Sequence, residues 1–286
     1  MDTTFVNDIQ RAALYGLRHY VCFSYYARSP EIFAARDGMA YPCFCSAFVM
    51  ESRGFWFLVT AGHVLDGVEE ERKQGIEHAS FRLFDGWGAE AVDRHYVPFD
   101  YENAPKHRIH EEGLDYGLVL LGPNAVANMQ ANNVVPVSEA HYEKIWPERF
   151  DGYAIVGTPA ATVELKRHGE RSTLLRHSVV IIQVAAEPNP PAELIQPQDR
   201  FYGRIATPED SSEWQAIGGD IRGMSGGPIL GVRRDDKGLH YWVVGIQSGW
   251  LESKRIIAAC WFQRFAQFVG QMLDGPPSLD RSGHGP

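Results

Sequence analysis

Three short stretches carry side chains that could do chemistry together. Val59-Thr60-Ala61-Gly62-His63-Val64 closes an apolar run and sets an imidazole at a turn. Gly113-Leu114-Asp115-Tyr116-Gly117-Leu118-Val119-Leu120 puts a carboxylate at the mouth of another such run. Gly223-Met224-Ser225-Gly226-Gly227-Pro228-Ile229 holds a hydroxyl in a glycine-rich turn. A serine hydroxyl is a weak nucleophile at neutral pH until an imidazole accepts its proton. The imidazole in turn needs its other nitrogen held by a buried carboxylate, which fixes the tautomer and stabilises the imidazolium. A tetrahedral oxyanion needs preorganised donors, and backbone N–H groups in a turn can supply them. Glycine at position 223 allows a backbone conformation that aims its N–H at a reacting carbonyl without a Cβ penalty. Gly226 and Gly227 permit close approach by a substrate and by neighbouring strands. Each stretch alone is common, since a serine between glycines usually marks a turn and a lone histidine is usually structural. Their order, each at the edge of a strand-like run, singles them out.

Those residues need a scaffold of short strands. Runs rich in Val, Ile, Phe and Tyr occur at 19–26, 44–50, 55–60, 81–84, 118–121, 153–156, 178–185, 229–232 and 241–247, separated by Gly, Asp or Pro clusters. Arg53-Gly54 and Asp235-Asp236-Lys237-Gly238 read as hairpin turns. Many short strands with few helices between them indicate an all-β barrel or sandwich. Val6, Ile9, Ala13 and Leu17 share one face of an amphipathic helix over 4–19. Glu187–Asp210, with five prolines, predicts a long surface loop, and Arg255–Leu273 predicts a helix with a broad apolar face. The Gly-, Pro- and Ser-rich tail 274–286 reads as loose.

The chain has 286 residues, 44% hydrophobic and 22% charged, which excludes a disordered protein and suggests two ordinary domains or one large one. Its 27 basic and 36 acidic residues give a net charge of −9, and no basic run offers a face for phosphates, so nucleic acid is not an expected partner. No stretch of about 18 apolar residues is present, so no membrane span is expected. The start, Met-Asp-Thr-Thr-Phe-Val-Asn-Asp, has neither the basic nor the apolar part of a secretory signal. Four cysteines, Cys22, Cys43, Cys45 and Cys260, are too few for a disulfide scaffold. A reduced, cytoplasmic location is the expectation.

With His63, Asp115 and Ser225 in that order, the chain resembles a trypsin/chymotrypsin-like serine peptidase, of the bacterial kind with a Gly-Met-Ser-Gly-Gly-Pro nucleophile turn. The resemblance covers about residues 40–270. It implies an all-β fold of two six-stranded antiparallel barrels with the active site between them. The expected boundaries are an N-terminal extension at 1–40, a first barrel at 41–140, a second at 141–255 and a C-terminal helix at 256–273. It further implies that His63 is the general base, Asp115 its orienter and Ser225 the nucleophile. The N–H groups of Gly223 and Ser225 form the oxyanion hole, with Ser248 beside Asp115. Met224 stands where zymogen-type members carry an aspartate that pairs with a newly cut N-terminus, and Val64 stands where many have a cysteine. Neither secreted-enzyme device can form, and Cys45-Ser46-Ala47 replaces a stretch that is commonly Gly-Ser-Gly-like.

The same resemblance places Gly219 and Asp220 at the base of the primary specificity pocket, lined by the strand containing Gln247, Ser248 and Gly249. Asp220 either reaches into that pocket and selects Arg or Lys, or points to solvent at its rim. Gln247 would suit a neutral polar side chain, and Trp250 either narrows the cleft or only covers the barrel. His107, His110, Glu111 and Glu112 lack metal-ligand spacing and read as a solvated loop. Cys43 and Cys45 read as a small buried pair, and 69–73 as an exposed loop or helix end. No cofactor or metal is called for. The function implied is a soluble endopeptidase acting on protein or peptide substrates through an acyl-enzyme, gated by a regulatory partner or by the N-terminal segment. Two other readings stay open: a binding or scaffold module that keeps the fold without turnover, and an esterase acting on non-peptide substrates.

Overall fold

The computed structural model describes residues 11–35, 39–85, 96–111, 113–168 and 172–275. Two antiparallel β structures dominate. The first is a seven-stranded sheet of β1 (Tyr20–Arg28), β2 (Tyr41–Ser52), β3 (Phe55–Thr60), β4 (Glu77–Asp85), β5 (Val97–Pro98), β6 (Lys106–Glu111) and β7 (Leu114–Leu120), in the order β5-β4-β1-β2-β3-β7-β6. The second is a closed six-stranded barrel of β8 (Gly152–Gly157), β11 (Val180–Ala186), β12 (Arg200–Ile205), β13 (Pro228–Asp235), β14 (Gly238–Leu251) and β15 (Ile256–Trp261). A separate hairpin pairs β9 (Glu164–His168) with β10 (Ser172–Arg176). Of the two six-stranded barrels expected, one closes. The first unit is an open ladder among the described residues, with β5 and β6 at its edges.

Period-2 alternation divides the apolar side chains between cores. Tyr20 and Cys22 of β1, Phe48 and Met50 of β2, and Phe57 and Val59 of β3 enter a layer shared with barrel residues Ala154, Val156, Leu230 and Ile246. Val21, Phe23, Val49 and Leu58 face the opposite way, into the sheet's own core with Leu65 and Val119. The barrel interior holds Ile155, Val184, Phe201, Ile229, Val244 and Ile257. With both faces covered, these strands read as continuous apolar runs.

The differences from the sequence reading have physical causes. Residues 256–261 form barrel strand β15, and the C-terminal helix begins only at Phe262 (Phe262–Asp274). A fully buried strand and a buried helix share the same run of apolar residues, which periodicity cannot separate. Within the helix, Phe262, Phe265, Ala266 and Val269 are buried at the spacing of one helical face. The proline-rich segment contains β12, whose Phe201 and Ile205 point inward while Arg200 and Tyr202 are half-buried and Arg204 is exposed. Residues 106–111 are the edge strand β6, not a loop, and 69–73 end the helix Gly62–Lys73. Residues 20–28 are no extension, because β1 lies between β4 and β2. Residues 11–16 are helical, with Ala13 buried; Val6, Ile9 and the tail beyond 275 lie outside the described residues.

Candidate active site

His63 is positioned by a strand end and a helix start. β3 stops at Thr60, Ala61 is extended (φ −79°, ψ 148°), and the helix Gly62–Lys73 begins at once. The first N–H groups of a helix have no partner within it, and the Asp115 carboxylate supplies one. His63 N–H donates to Asp115 Oδ1 at 2.8 Å, and the ring Nδ1 contacts Oδ2 at 2.6 Å. Because a carboxylate only accepts, Nδ1 carries the proton of this contact, which in the neutral ring leaves the lone pair on Nε2. Gly62 makes this approach possible: a Cβ there would lie 3.0 Å from Asp115 Oδ1 and 2.6 Å from Ile109 O. Asp115 is 5% exposed. Burial pushes its pKa up, but the hydrogen bonds and charge of His63 outweigh that and hold it below the ordinary carboxylate value. The carboxylate is therefore anionic at neutral pH, while His63 stays 35% exposed toward the cleft.

The Ser225 turn is packed against the same strand end. Gly223 and Gly226 adopt φ +94° and +90°. A Cβ on Gly226 would overlap Thr60 Oγ1 and Ser46 O and lie 3.0 Å from Ala61 N. The turn thus abuts the chain two residues before His63. Met224, fully buried, points into the barrel interior, and Gly226 N–H donates to Gln247 O at 2.8 Å. Ala160 N–H donates to Arg222 O at 2.7 Å, which turns the far side of that peptide, the Gly223 N–H, the other way. Neither Gly223 N–H nor Ser225 N–H has a partner among the described residues. His63 and Asp115 are hydrogen-bonded. The turn that carries Ser225 packs through Gly226 on Thr60, Ser46 and Ala61, and no hydrogen bond joins the Ser225 hydroxyl to His63.

A buried polar chain braces the turn from behind. Ser46 Oγ–H donates to Gly223 O at 2.9 Å and Thr158 N–H donates to Ser46 Oγ at 2.9 Å. Tyr20 OH donates to Ser46 Oγ at 3.2 Å and lies 2.8 Å from Thr158 Oγ1. Sequence reading missed Tyr20, Ser46 and Thr158. No local pattern could reveal them, because Ser46 and Gly223 are 177 residues apart.

The remaining candidates divide. Asp220 accepts from Arg222 N–H at 3.1 Å, from the Arg222 guanidinium and from Trp250 Nε1 at 3.1 Å, so it neither points freely to solvent nor stands open to a substrate cation. Gly219 has φ +70°, and a Cβ on it would lie 3.3 Å from Trp214 Nε1. Gln247 is 1% exposed; its Nε2 donates to Gly249 O at 3.1 Å, while its Oε1 has no partner among the described residues. Ser248 and Asp115 line one cavity of about 440 Å³ with His63, His110, Gln196 and Arg200. The Ser248 hydroxyl is nevertheless taken by Arg200 and by Cys260 Sγ at 3.6 Å, not by Asp115. His110 pairs with Asp66 at 3.0 Å. None of the four cysteines is in a disulfide, and burial pushes Cys22 up to about 12 and raises Cys45 and Cys260, which keeps these three thiols protonated. Among the described residues no cluster of His, Cys, Asp and Glu is placed to hold a metal, and no helix is long and apolar enough to cross a membrane.

No family model matches the chain, and no curated protein matches it. Among solved structures, a thermostable serine protease, AL20, from an extremophilic microorganism is similar to it at 14% identity and a TM-score of 0.43, over 87% of this chain and 96% of that one. That likeness is too distant to bear on function.

Proposed function

We propose that the protein is a trypsin-like serine endopeptidase with His63, Asp115 and Ser225 as its triad. The observation that carries this reading is the His63–Asp115 pair, bonded through both ring and backbone nitrogen, beside a serine turn with two unpartnered N–H groups. Ser225 Oγ attacks the substrate carbonyl as His63 Nε2 takes its proton. Asp115 remains anionic and holds the imidazolium. The tetrahedral oxyanion accepts from Gly223 and Ser225 N–H. His63 then returns the proton to the leaving amine, and water repeats the sequence on the acyl-enzyme. The polypeptide supplies every group these steps use. A fluorophosphonate probe tests the reading: Ser225 should be labelled, and Ser225→Ala should not. Absence of labelling in the wild type overturns it.

The missing Ser225–His63 hydrogen bond supports a second reading, a peptide-binding module without turnover. Equal peptide binding by wild type and Ser225→Ala, with cleavage by neither, would establish that one. A third possibility, a non-peptide esterase, separates by its ratio of ester to amide turnover. Buried Met224 offers no ion pair to a new N-terminus, so control by N-terminal trimming is not part of the proposal. Control by a partner or by seating of residues 1–18 takes its place, and deleting those residues without effect on activity or partner binding removes it.

A further inference from the structure

The proline-rich segment closes a polar cavity on the side of His63 where Arg200 lies. Gln196 sits so tightly on the β6–β7 turn that a Cβ on Gly113 would lie 2.5 Å from Gln196 Cβ. The cavity bounded in this way measures about 440 Å³, and Leu114 brings the one apolar side chain among the described residues that line it. Arg200 brings a permanent positive charge. It is half-buried, and of its five N–H donors the described residues engage one, on Nη2, through Ser248 Oγ. Its buried Nε–H has no partner. The carboxylates around it are committed elsewhere. Asp115 gives both oxygens to His63, and Asp66 holds Arg108 at 2.6 Å and His110 at 3.0 Å. Asp199, next to Arg200 in the chain, accepts from Trp261 Nε1 at 3.1 Å.

We propose that this cavity is an oxyanion-binding site, in which Arg200 holds the carboxylate or phosphate group of a small polar molecule. A half-buried guanidinium whose one partner is a neutral hydroxyl is a partly desolvated charge without a counter-ion. Its planar fork matches a carboxylate or a phosphate through paired N–H···O bonds. Gln196 brings an amide to the same space, with two further N–H donors. A cationic ligand meets the charge of Arg200 and finds no uncommitted carboxylate among the lining residues. A lipid chain or an aromatic ring finds only Leu114 to pack on. The volume lies in the range of small-ligand sites. The chain's net charge of −9 does not oppose this, because exposed charges more than about 8 Å away are screened at physiological salt. The site itself stands without Ser225. That a substrate of the enzyme carries the anion into it rests on the triad reading.

Isothermal titration with succinate and with inorganic phosphate, at fixed ionic strength, tests the site, and uncharged succinamide is the control. The wild type should bind both anions and leave succinamide unbound. Arg200→Gln should weaken both by about tenfold or more. Arg200→Lys keeps the charge and loses the fork, so it should fall between the two, and it carries the test if the glutamine variant does not fold. Peptide diphenyl phosphonates then identify the source of the anion. Each carries one Glu at a single position flanking the reactive residue and is paired with a Gln twin. A Glu probe that outpaces its twin in the wild type, but not in Arg200→Gln or under excess succinate, assigns the anion to a substrate. Equal rates for all twins, with succinate binding intact, assign it to a separate small acid or phosphate. The proposal is overturned if the wild type binds neither anion, if it binds succinamide as well as succinate, or if binding is unchanged in every folded Arg200 variant. A plain alkyl fluorophosphonate, run in parallel, keeps the two readings apart: absence of labelling removes the Ser225 reading and leaves the titration to decide the site.

Discussion

Ser46 shows how much one hydroxyl can hold. It accepts from Thr158 N–H and Tyr20 OH and donates to Gly223 O. Ser46→Ala strands the buried Thr158 N–H, at a cost of about 1–3 kcal/mol, and removes the hydrogen bond to the half-buried Gly223 O. The variant should melt lower, and its rate of fluorophosphonate labelling should fall while peptide KM stays near the wild-type value. That split is expected because the turn presents its N–H groups to the oxyanion and not to the bound ground state. A lower melting point with normal labelling would reduce Ser46 to a structural brace. His19 makes a second prediction at this scale. It is 1% exposed, with Nδ1 2.6 Å from Val135 O and Nε2 2.8 Å from Tyr241 OH. Burial lowers its pKa to about 4, with nearby His141 and Arg18 acting in the same direction and the Val135 hydrogen bond opposing them. The unfolded chain, near 6.5, binds the proton first, so stability is full above about pH 6.5 and is lost as pH falls toward 4. The loss is on the order of 3 kcal/mol. Urea midpoints measured from pH 7 to pH 4 should drop, and His19→Gln should flatten that slope.

The turns and strands explain what was legible in the sequence. Two glycines at positive φ make the point. Gly54, at φ +79° in the β2–β3 hairpin, has open space around its Cβ position, whereas Gly226, at φ +90°, faces Thr60 and Ser46. Gly54→Ala should cost roughly 1 kcal/mol of backbone strain and leave Ser225 labelling intact. Gly226→Ala should abolish labelling, because the turn can no longer seat on β3. Normal labelling in Gly226→Ala would show that the turn can be reseated. Gly54 and Gly226 were visible because turn chemistry is local, and β3 was placed correctly at 55–60 because a hairpin bounds one end and the His63 turn the other. The stretches holding His63 and Asp115, which the structure pairs, and the Ser225 turn are likewise local, each a few residues long. β15 was not visible, since Ile256–Trp261 is apolar on both faces and joins directly to a helix. β12 was hidden among prolines, and the edge strand β6 among histidines and charges. The surroundings of Asp220 are not legible locally for a different reason: Trp250, 30 residues away, reaches across to donate to it.

At the scale of the molecule, the sheet and the barrel meet at the site, and the N-terminal segment contributes to both. Tyr20 and Ser46 belong to the sheet, Thr158 and Gly223 to the barrel side, so the chain that braces the turn also ties the two units together. β1 begins at Tyr20, and what precedes it is seated as well. Ala12 and Ala13 are fully buried, a Cβ on Gly16 would overlap Leu230 of β13, and Arg18 O accepts from Val135 N–H at 2.9 Å. Deleting residues 1–18 therefore bares part of the layer between sheet and barrel and frees the start of the strand that carries Tyr20. The truncated protein should still fold, because β1 keeps its pairing with β2 and β4. Its melting temperature should fall by on the order of several degrees. Ser225 labelling should slow by more than that loss of stability alone produces at temperatures well below melting, since Tyr20 reaches Gly223 through Ser46. The Ser46→Ala variant supplies the decisive comparison: if truncation acts through this chain, adding it to Ser46→Ala should slow labelling little further. Additive effects would assign the segment a purely structural part, and faster labelling on truncation would mark it as a restraint on the site instead of a support for it.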